Sequence, residues 1–506
     1  MNIWGLYVFR YDRDQVPRTR YGQLLALMLG GGLTGGPALA QEFGAARPLA
    51  PPPQLQGLLI QPRVGLQESF TDNALLTATN TQSDFVTRPI LAADTFLNSG
   101  RAVGSMSTQL SYDMYANNTQ FSGWSLYAYG NGSYDVVPDF LSLEGEGTVT
   151  NGTVSAFGTS AIDRTGTAGR LQLSAYSVGP HISTTVDDFA DLEVQGRFSQ
   201  VAFTSGDKSA VAQLPADSII GMTSAILDTG TRFVGFQLQT AGNFERDDHN
   251  FQLYNGIQTL FVRILPQLRI LARGGYESIS QPGIISITDP VWSGGLELTV
   301  NQRSMVTVEA GERYGHPIWN ANALLQFSDR FYATMRYSEI LQPSQMSITS
   351  SFSDFVSQIQ LLPVPLVSPN FTLNGNLYSE TSFNKTAEGR FAYVWDEDSV
   401  YVSAYWIDRR FEPQGTHDRT ALATAEYSHR IAPDLNIEAR FNFAHTYASP
   451  LYGANQSYGG EADVGYDLNS TMALRAGYGF SRQSRYTPTP MDLSENVVFA
   501  AIQKRF

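Results

Sequence analysis

The chain has 506 residues, with 33 basic and 47 acidic side chains for a net charge of −14, and it contains no Cys. Lack of Cys excludes disulfide scaffolds, thiol nucleophiles and thiolate metal sites. A net acidic chain whose only Lys are Lys208, Lys385 and Lys504 excludes nucleic acid as a natural partner. With 45 Gly, 12% aromatic and 42% apolar residues it is no disordered chain, and a large β protein or a multidomain enzyme remains.

In chain order the N-terminus comes first. Arg10, Arg13, Arg18 and Arg20 precede the apolar run 24–29, and the small residues Ala38 and Ala40 follow. A basic start, a short apolar centre and an A-x-A-like end make residues 1–40 an export signal cut after Ala40. The apolar run is far shorter than the ~20 residues of a spanning helix. Removing it takes away four Arg and two Asp, which leaves 29 basic and 45 acidic groups, net −16. Residues 41–57 include Arg47-Pro48-Leu49-Ala50-Pro51-Pro52-Pro53 and read as an extended periplasmic leader.

From residue 58 to residue 506 the signal is alternation. Leu296, Leu298 and Val300 interleave with Glu297 and Thr299, and Leu435, Ile437, Ala439, Phe441 and Phe443 with Asn436, Glu438, Arg440 and Asn442. Side chains on a strand point to opposite faces in turn, so each segment has one apolar and one polar side. Short turns such as Asp187-Asp188, Pro433-Asp434 and Asn469-Ser470 alternate with longer polar stretches near 71–83, 151–170, 205–216 and 279–290. Short turns at one rim and long loops at the other predict an all-β, transmembrane, antiparallel up-and-down barrel in a bacterial outer membrane. Strand starts number about 22 (16–24), with both termini in the periplasm. Phe506, behind the alternating Val498, Ala500 and Ile502, resembles the C-terminal signal read by the barrel-insertion machinery, although Lys504 departs from it. The expected surroundings are outer-membrane lipid and lipopolysaccharide.

Parity places charges of both signs on the inward faces. Arg269, Arg273, Glu297, Glu309, Arg313, Arg336, Arg390, Glu438, Arg440, Asp463 and Arg475 are the candidate pore-lining residues, since opposed charges along a wet lumen order water and favour polar solutes. The same charges are also what cross-strand neutralisation would place there. Inward Tyr401 and Tyr405 could stack on sugar rings. Residues 344–386 break the rhythm, with Pro363, Pro365 and Pro369 inside them, and form either a lumen constriction or an exposed loop. No G-x-S-x-G turn occurs and the six His show no metal-pair spacing; Glu245, Asp247, Asp248 and His249 make an acidic loop tip that either is simply solvated or holds a divalent cation or bridges lipopolysaccharide, without the ordered oxygen cage calcium wants. Neither catalytic residues nor a metal or cofactor is expected.

The start of the barrel carries a recurring order: Ile60-Gln61-Pro62-Arg63-Val64-Gly65-Leu66, then Phe70-Thr71-Asp72-Asn73, then Ser83-Asp84-Phe85-Val86-Thr87-Arg88-Pro89. Over residues 58–114 this resembles the β-barrel porin 2 family, close to barrels encoded with exopolysaccharide and protein-sorting systems. The resemblance implies an outer-membrane barrel and supplies no catalytic residues. A turn of residues tolerant of left-handed backbone is the expectation for Asp72-Asn73.

Three readings follow. The first is a passive channel serving surface-polysaccharide export or passage of polar solutes. The second is a non-conducting barrel, an adhesin or envelope scaffold. The third and weakest is a barrel hydrolase, which needs a Ser, a His and an acidic residue meeting at the outer rim.

Overall fold

The computed structural model describes residues 56–506 except 76, 156–157, 160–169, 206–216, 231, 302, 344–345, 347–380, 413–414, 449–452 and 487–489. The expected export signal and nearly all of the leader lie outside the described residues. The strands are β1 (Gly57–Thr71), β2 (Asp84–Asn98), β3 (Ala102–Tyr115), β4 (Gly123–Val137), β5 (Leu141–Ser155), β6 (Gly158–Thr159), β7 (Arg170–Val186) and β8 (Ala190–Ser205). Then come β9 (Ser218–Thr229), β10 (Phe236–Asp247), β11 (Gln252–Leu265), β12 (Leu268–Gln281), β13 (Ile285–Asn301), β14 (Ser304–Arg313), β15 (His316–Gln326) and β16 (Phe331–Pro343). The last are β17 (Thr381–Val394), β18 (Asp398–Phe411), β19 (His417–Ala432), β20 (Leu435–Ala448), β21 (Asn455–Asp467), β22 (Met472–Arg485) and β23 (Met491–Arg505).

Each wall strand pairs antiparallel with its neighbours in the chain, and β1 pairs with β23 from Arg63↔Arg505 to Thr71↔Val497. The sheet therefore closes. Two-residue β6 pairs only with the end of β5 and stands outside the wall, which leaves 22 wall strands. Connections at the rim holding both termini run from two to six residues, as the alternation predicts. Asp139 and Asp187 take left-handed backbone in two of them, a conformation that Asp tolerates.

Two expected loops are wrong. Residues 279–290 are mostly strand: β12 runs to Gln281 and β13 starts at Ile285, so only residues 282–284 turn. Ile279 is buried, with Ile285 and Ile287 against the same apolar cluster, which holds these polar-flanked residues in the sheet. The long outer segment is also shorter than 344–386, since Thr381 already opens β17; its middle, 347–380, lies outside the described residues.

The outside of the wall is apolar between two aromatic girdles. Trp124 and Tyr134 face outward on β4, ten residues apart on the same parity. At ~3.3 Å per residue and a tilt of ~40° that separation is about 25 Å along the barrel axis, the height of an outer-membrane apolar band. Ring pairs Phe70–Phe85 (5.0 Å) and Phe244–Tyr254 (4.7 Å) belong to the outer girdle, Phe233–Phe236 (5.2 Å) and Phe327–Phe331 (5.1 Å) to the periplasmic one. A closed sheet, apolar outside and polar inside, is a barrel that spans the outer membrane.

The closing seam explains Asp72-Asn73. Neither residue has positive φ, so the expected left-handed turn is corrected. Instead the Asp72 carboxylate accepts the Asn496 backbone N–H (2.8 Å) and Nδ2 (2.7 Å), while Asn73 Nδ2 donates to the Ser494 carbonyl (2.9 Å). The pair ties the outer end of the first strand to the last. Asp84 acts similarly at the next loop, accepting the backbone N–H groups of Asn117 (2.9 Å) and Asn118 (2.8 Å). Replacing Asp72 by Ala removes two charge-assisted hydrogen bonds, so a loss of about 2 kcal/mol is expected. The urea midpoint of the refolded barrel in detergent measures it; an unchanged midpoint would show that the seam closes without the staple.

Candidate functional site: the inner wall and the outer mouth

Parity continues around the barrel, so the charged inward face follows from the apolar outward one. Arg269 and Arg273 stand on β12, Glu297 on β13, Glu309 and Arg313 on β14, Arg336 on β16 and Arg390 on β17. Glu438 and Arg440 stand on β20, Asp463 on β21 and Arg475 on β22. Cross-strand register puts all eleven on the lumenal face.

These residues assemble into ladders. On β12–β14 the Arg269 Nε donates to Glu297 (2.6 Å), Arg273 pairs with Glu309 (3.1 Å) and donates to Thr259 (3.2 Å), and Arg313 Nε donates to Glu277 (3.0 Å). On β19–β22 the Arg475 Nε donates to Asp463 (2.7 Å) and its Nη2 to Glu438 (3.3 Å), and Arg440 pairs with Glu426 (3.3 Å). Arg336 stands opposite Glu388, which also pairs with Arg390. Several of these pairs skip a strand, as Arg273–Glu309 does from β12 to β14. Sharp inward curvature permits it: an added Cβ would lie 2.2 Å from the Gly256 carbonyl oxygen at Gly275, and 2.0 Å from that of Trp292 at Gly311. Only glycine fits such close approach of neighbouring strands.

Burial divides the eleven. Arg273, Glu297, Glu309, Arg313, Arg440 and Asp463 are buried, whereas Arg269, Arg336, Arg390, Glu438 and Arg475 are half-buried. The first group neutralises charge within the wall. The second presents charge to whatever occupies the lumen.

Several inward groups were not singled out from the sequence. Buried Arg63 and Arg88 pair with Asp94 (3.1 Å) and Asp113 on β1–β3. His181 sits with Nδ1 2.8 Å from Glu144 and Nε2 3.2 Å from Glu193, and Arg197 pairs with Glu146 (2.8 Å). The signal was available, because Arg63 alternates with the outward Val64 and Leu66. Tyr332 joins the inward Tyr401, their hydroxyls hydrogen-bonded across the small Ala392 between them in register. Tyr405 stands on the same face four residues further along β18.

The outer rim resolves the acidic tip. Asp247 Oδ1 accepts the N–H groups of His249 (2.9 Å) and Phe251 (2.8 Å), which shapes the turn, and the ligand atoms of Asp247, Asp248 and His249 lie within 4.8 Å of one another. Ser218, Asp248 and His249 do meet there, yet in the wrong order for a nucleophile. Ser218 Oγ donates to Asp248 Oδ1 (3.2 Å), and His249 Nδ1 lies 2.9 Å from that same oxygen. A hydrolase places the imidazole between hydroxyl and carboxylate, and here the carboxylate is central.

At the outer mouth the wall departs from a simple cylinder. β15 and β16 pair over only six positions, Ala321↔Tyr337 to Gln326↔Tyr332, whereas β14–β15 pairs over nine and β16–β17 over thirteen. Below the split the odd-numbered face of β16–β17 is the outward one, with Met335 and Phe391 exposed. Above it Glu339, Leu341 and Phe383 of the same face are buried, and Leu341 and Phe383 pack into a cluster with Ile279, Tyr314 and Met346. Leu341 N–H donates to Tyr314 Oη (3.3 Å), and Thr381 Oγ1 donates to Gln281 Oε1 (2.5 Å), joining β17 to β12 five strands away. The outer half of β16–β17 therefore lies inside the mouth, against the inner face of β12–β14.

No protein-family model matches the chain, and no curated protein matches it. Among solved structures it is similar in outline to the FrpB iron transporter of Neisseria meningitidis (F5-1 variant), at 10% identity over 89% of this chain and 83% of that one, TM-score 0.49. It is also similar to the siderophore receptor PirA of Acinetobacter baumannii, at 8% identity over 89% and 81%, TM-score 0.46. A point mutant of the ferric enterobactin receptor PfeA of Pseudomonas aeruginosa gives 8% over 90% and 81%, TM-score 0.46. These similarities are ones of strand layout.

Arg313→Met leaves Glu277, 2% exposed, with Asn255 Nδ2 at 3.4 Å as a remaining partner. A loss of about 3–5 kcal/mol is expected, and Arg313→Met with Glu277→Leu together should cost clearly less than the two singly. Urea unfolding of the four forms measures the coupling; simple additivity would mean that the buried ladder does not act as a unit.

Proposed function

We propose that the chain is an outer-membrane channel for polar solutes, with the sugars of surface polysaccharide as the solute class that fits best. One observation carries the reading: a closed, membrane-spanning wall whose lumenal face holds half-buried charges of both signs. Arg269, Glu438 and Arg475 lie near the periplasmic ends of their strands, where a solute entering from that side meets them. Opposed charges hold water across the pore and suit hydroxylated solutes. Tyr332, Tyr401 and Tyr405 add aromatic faces to the same stretch of wall, beside Arg390 and Glu388, and rings of this kind stack on sugars. No family model supports the resemblance of residues 58–114 to the β-barrel porin 2 family, so the solute class rests on the chemistry of the inner wall alone. The outer ends of β16 and β17 are held inside the mouth at Leu341 and Thr381, and residues 347–380 between them lie outside the described residues.

A non-conducting adhesin or scaffold remains the second reading, favoured by the extent of charge neutralisation inside the wall. Single-channel conductance of the refolded mature chain separates the two. Steady ohmic steps are expected, larger when residues 347–380 are replaced by a short turn, and Glu438→Arg should move the reversal potential in a salt gradient toward anion preference. Silence from both lengths of a folded barrel would overturn the channel and favour the scaffold.

A further inference from the structure

We propose that the outer half of β16–β17 is a door in the barrel wall, closed in this structure, whose free edge is β16 and whose hinge is the β17–β18 ladder. What the door admits rests on the channel reading; that it moves does not.

The sequence explains why the wall splits at this place. Continuing the β15–β16 register outward would set Pro317 opposite Leu341 and Trp319 opposite Glu339. Proline has no N–H for the ladder and is confined to edges. Glu339 would share the lipid-facing surface with Trp319, which is 57% exposed at the outer girdle, and a carboxylate there is destabilising. Peeling β16 inward resolves both conflicts. Glu339 becomes buried, accepting the Tyr337 hydroxyl (2.7 Å) with Lys385 Nζ 3.7 Å away.

The hinge side stays intact, because β17 pairs with β18 from Ser382↔Phe411 to Val394↔Ser399. Among the described residues the outer half of β16–β17 is held to β12–β14 by side chains from both of its strands: Leu341 of β16 bonds to Tyr314, while from β17 Thr381 bonds to Gln281 and Phe383 meets Tyr314 edge-on (6.0 Å), with the apolar cluster around them. Tyr314 is the tip of the seat. It holds left-handed backbone (φ 59°), with the Arg313 guanidinium 4.7 Å above its ring. A ladder edge with few backbone bonds opens at lower free energy than a paired strand.

The absence of Cys makes the test clean. Single variants Leu341→Cys, in the seat, Ala333→Cys, buried in the paired lower wall, and His417→Cys, exposed at the outer end of β19, are exposed to a membrane-impermeant maleimide. A door predicts labelling of Leu341→Cys within about a hundredfold of the His417→Cys rate, while Ala333→Cys stays protected. Protection of both buried positions would overturn the door. Gln281→Cys with Thr381→Cys then tests its consequence. Oxidation should abolish the open steps and reductant restore them. Equal conductance in the two states, with the crosslink verified, would leave a fixed rim. Labelling at Leu341 without conductance in any form would keep the door and defeat the channel.

Discussion

A strand in a bilayer has no water to satisfy its N–H and C=O groups, so a spanning sheet survives only by closing on itself. Everything in this wall depends on that requirement. It fixes the pairing of β1 with β23, and it gives Asp72 and Asn73 their work. The seam joins residues more than 420 positions apart in the chain, and loop-closure entropy opposes its formation more than that of any hairpin. Hydrogen bonds from Asn496 to Asp72 and from Asn73 to Ser494 fall at the outer end of that pairing, where fraying would otherwise begin.

The same requirement makes the β15–β16 split informative. Ladder bonds are given up beyond Tyr337, at the level where Trp319 meets the outer membrane interface. The loss is tolerated because the diverging strand goes into the protein and not into lipid: Leu341 N–H finds the Tyr314 hydroxyl, and apolar side chains fill the overlap. Irregular backbone at membrane depth is admissible only when protein or a cavity receives it. Pro317 on β15 and Glu339 on the outward parity of β16 both disfavour a continued ladder, and the apolar cluster inside the mouth receives the strand that diverges.

Much of the fold could be read from period two. The 22 strand starts, the two rims and the inward parity of all eleven charges follow from one rule, that neighbouring side chains point to opposite faces. The errors arose where tertiary packing overrode local polarity. Residues 279–290 carry Ser, Gln, Pro and Gly, so they resemble a loop, yet Ile279, Ile285 and Ile287 have an apolar cluster to join. Which inward charges would be buried was not legible either, because burial depends on curvature. The close approach at Gly275 and Gly311 follows from strands that meet only in three dimensions.

Curvature also connects the ladders to the mouth. At the outer half of β12–β14, Arg273 and Arg313 reach carboxylates two strands away, and the charges beneath the apolar cluster are paired. An uncharged, well-braced surface is what an apolar seat requires, since an unpaired Arg or Glu under Tyr314 would draw water into the overlap. On β20–β22 the wall instead leaves Glu438 and Arg475 half-buried. The buried Arg313–Glu277 pair thus braces the wall beneath the apolar seat, while near the periplasmic rim the half-buried Arg269 and Arg475 lean on the buried carboxylates Glu297 and Asp463.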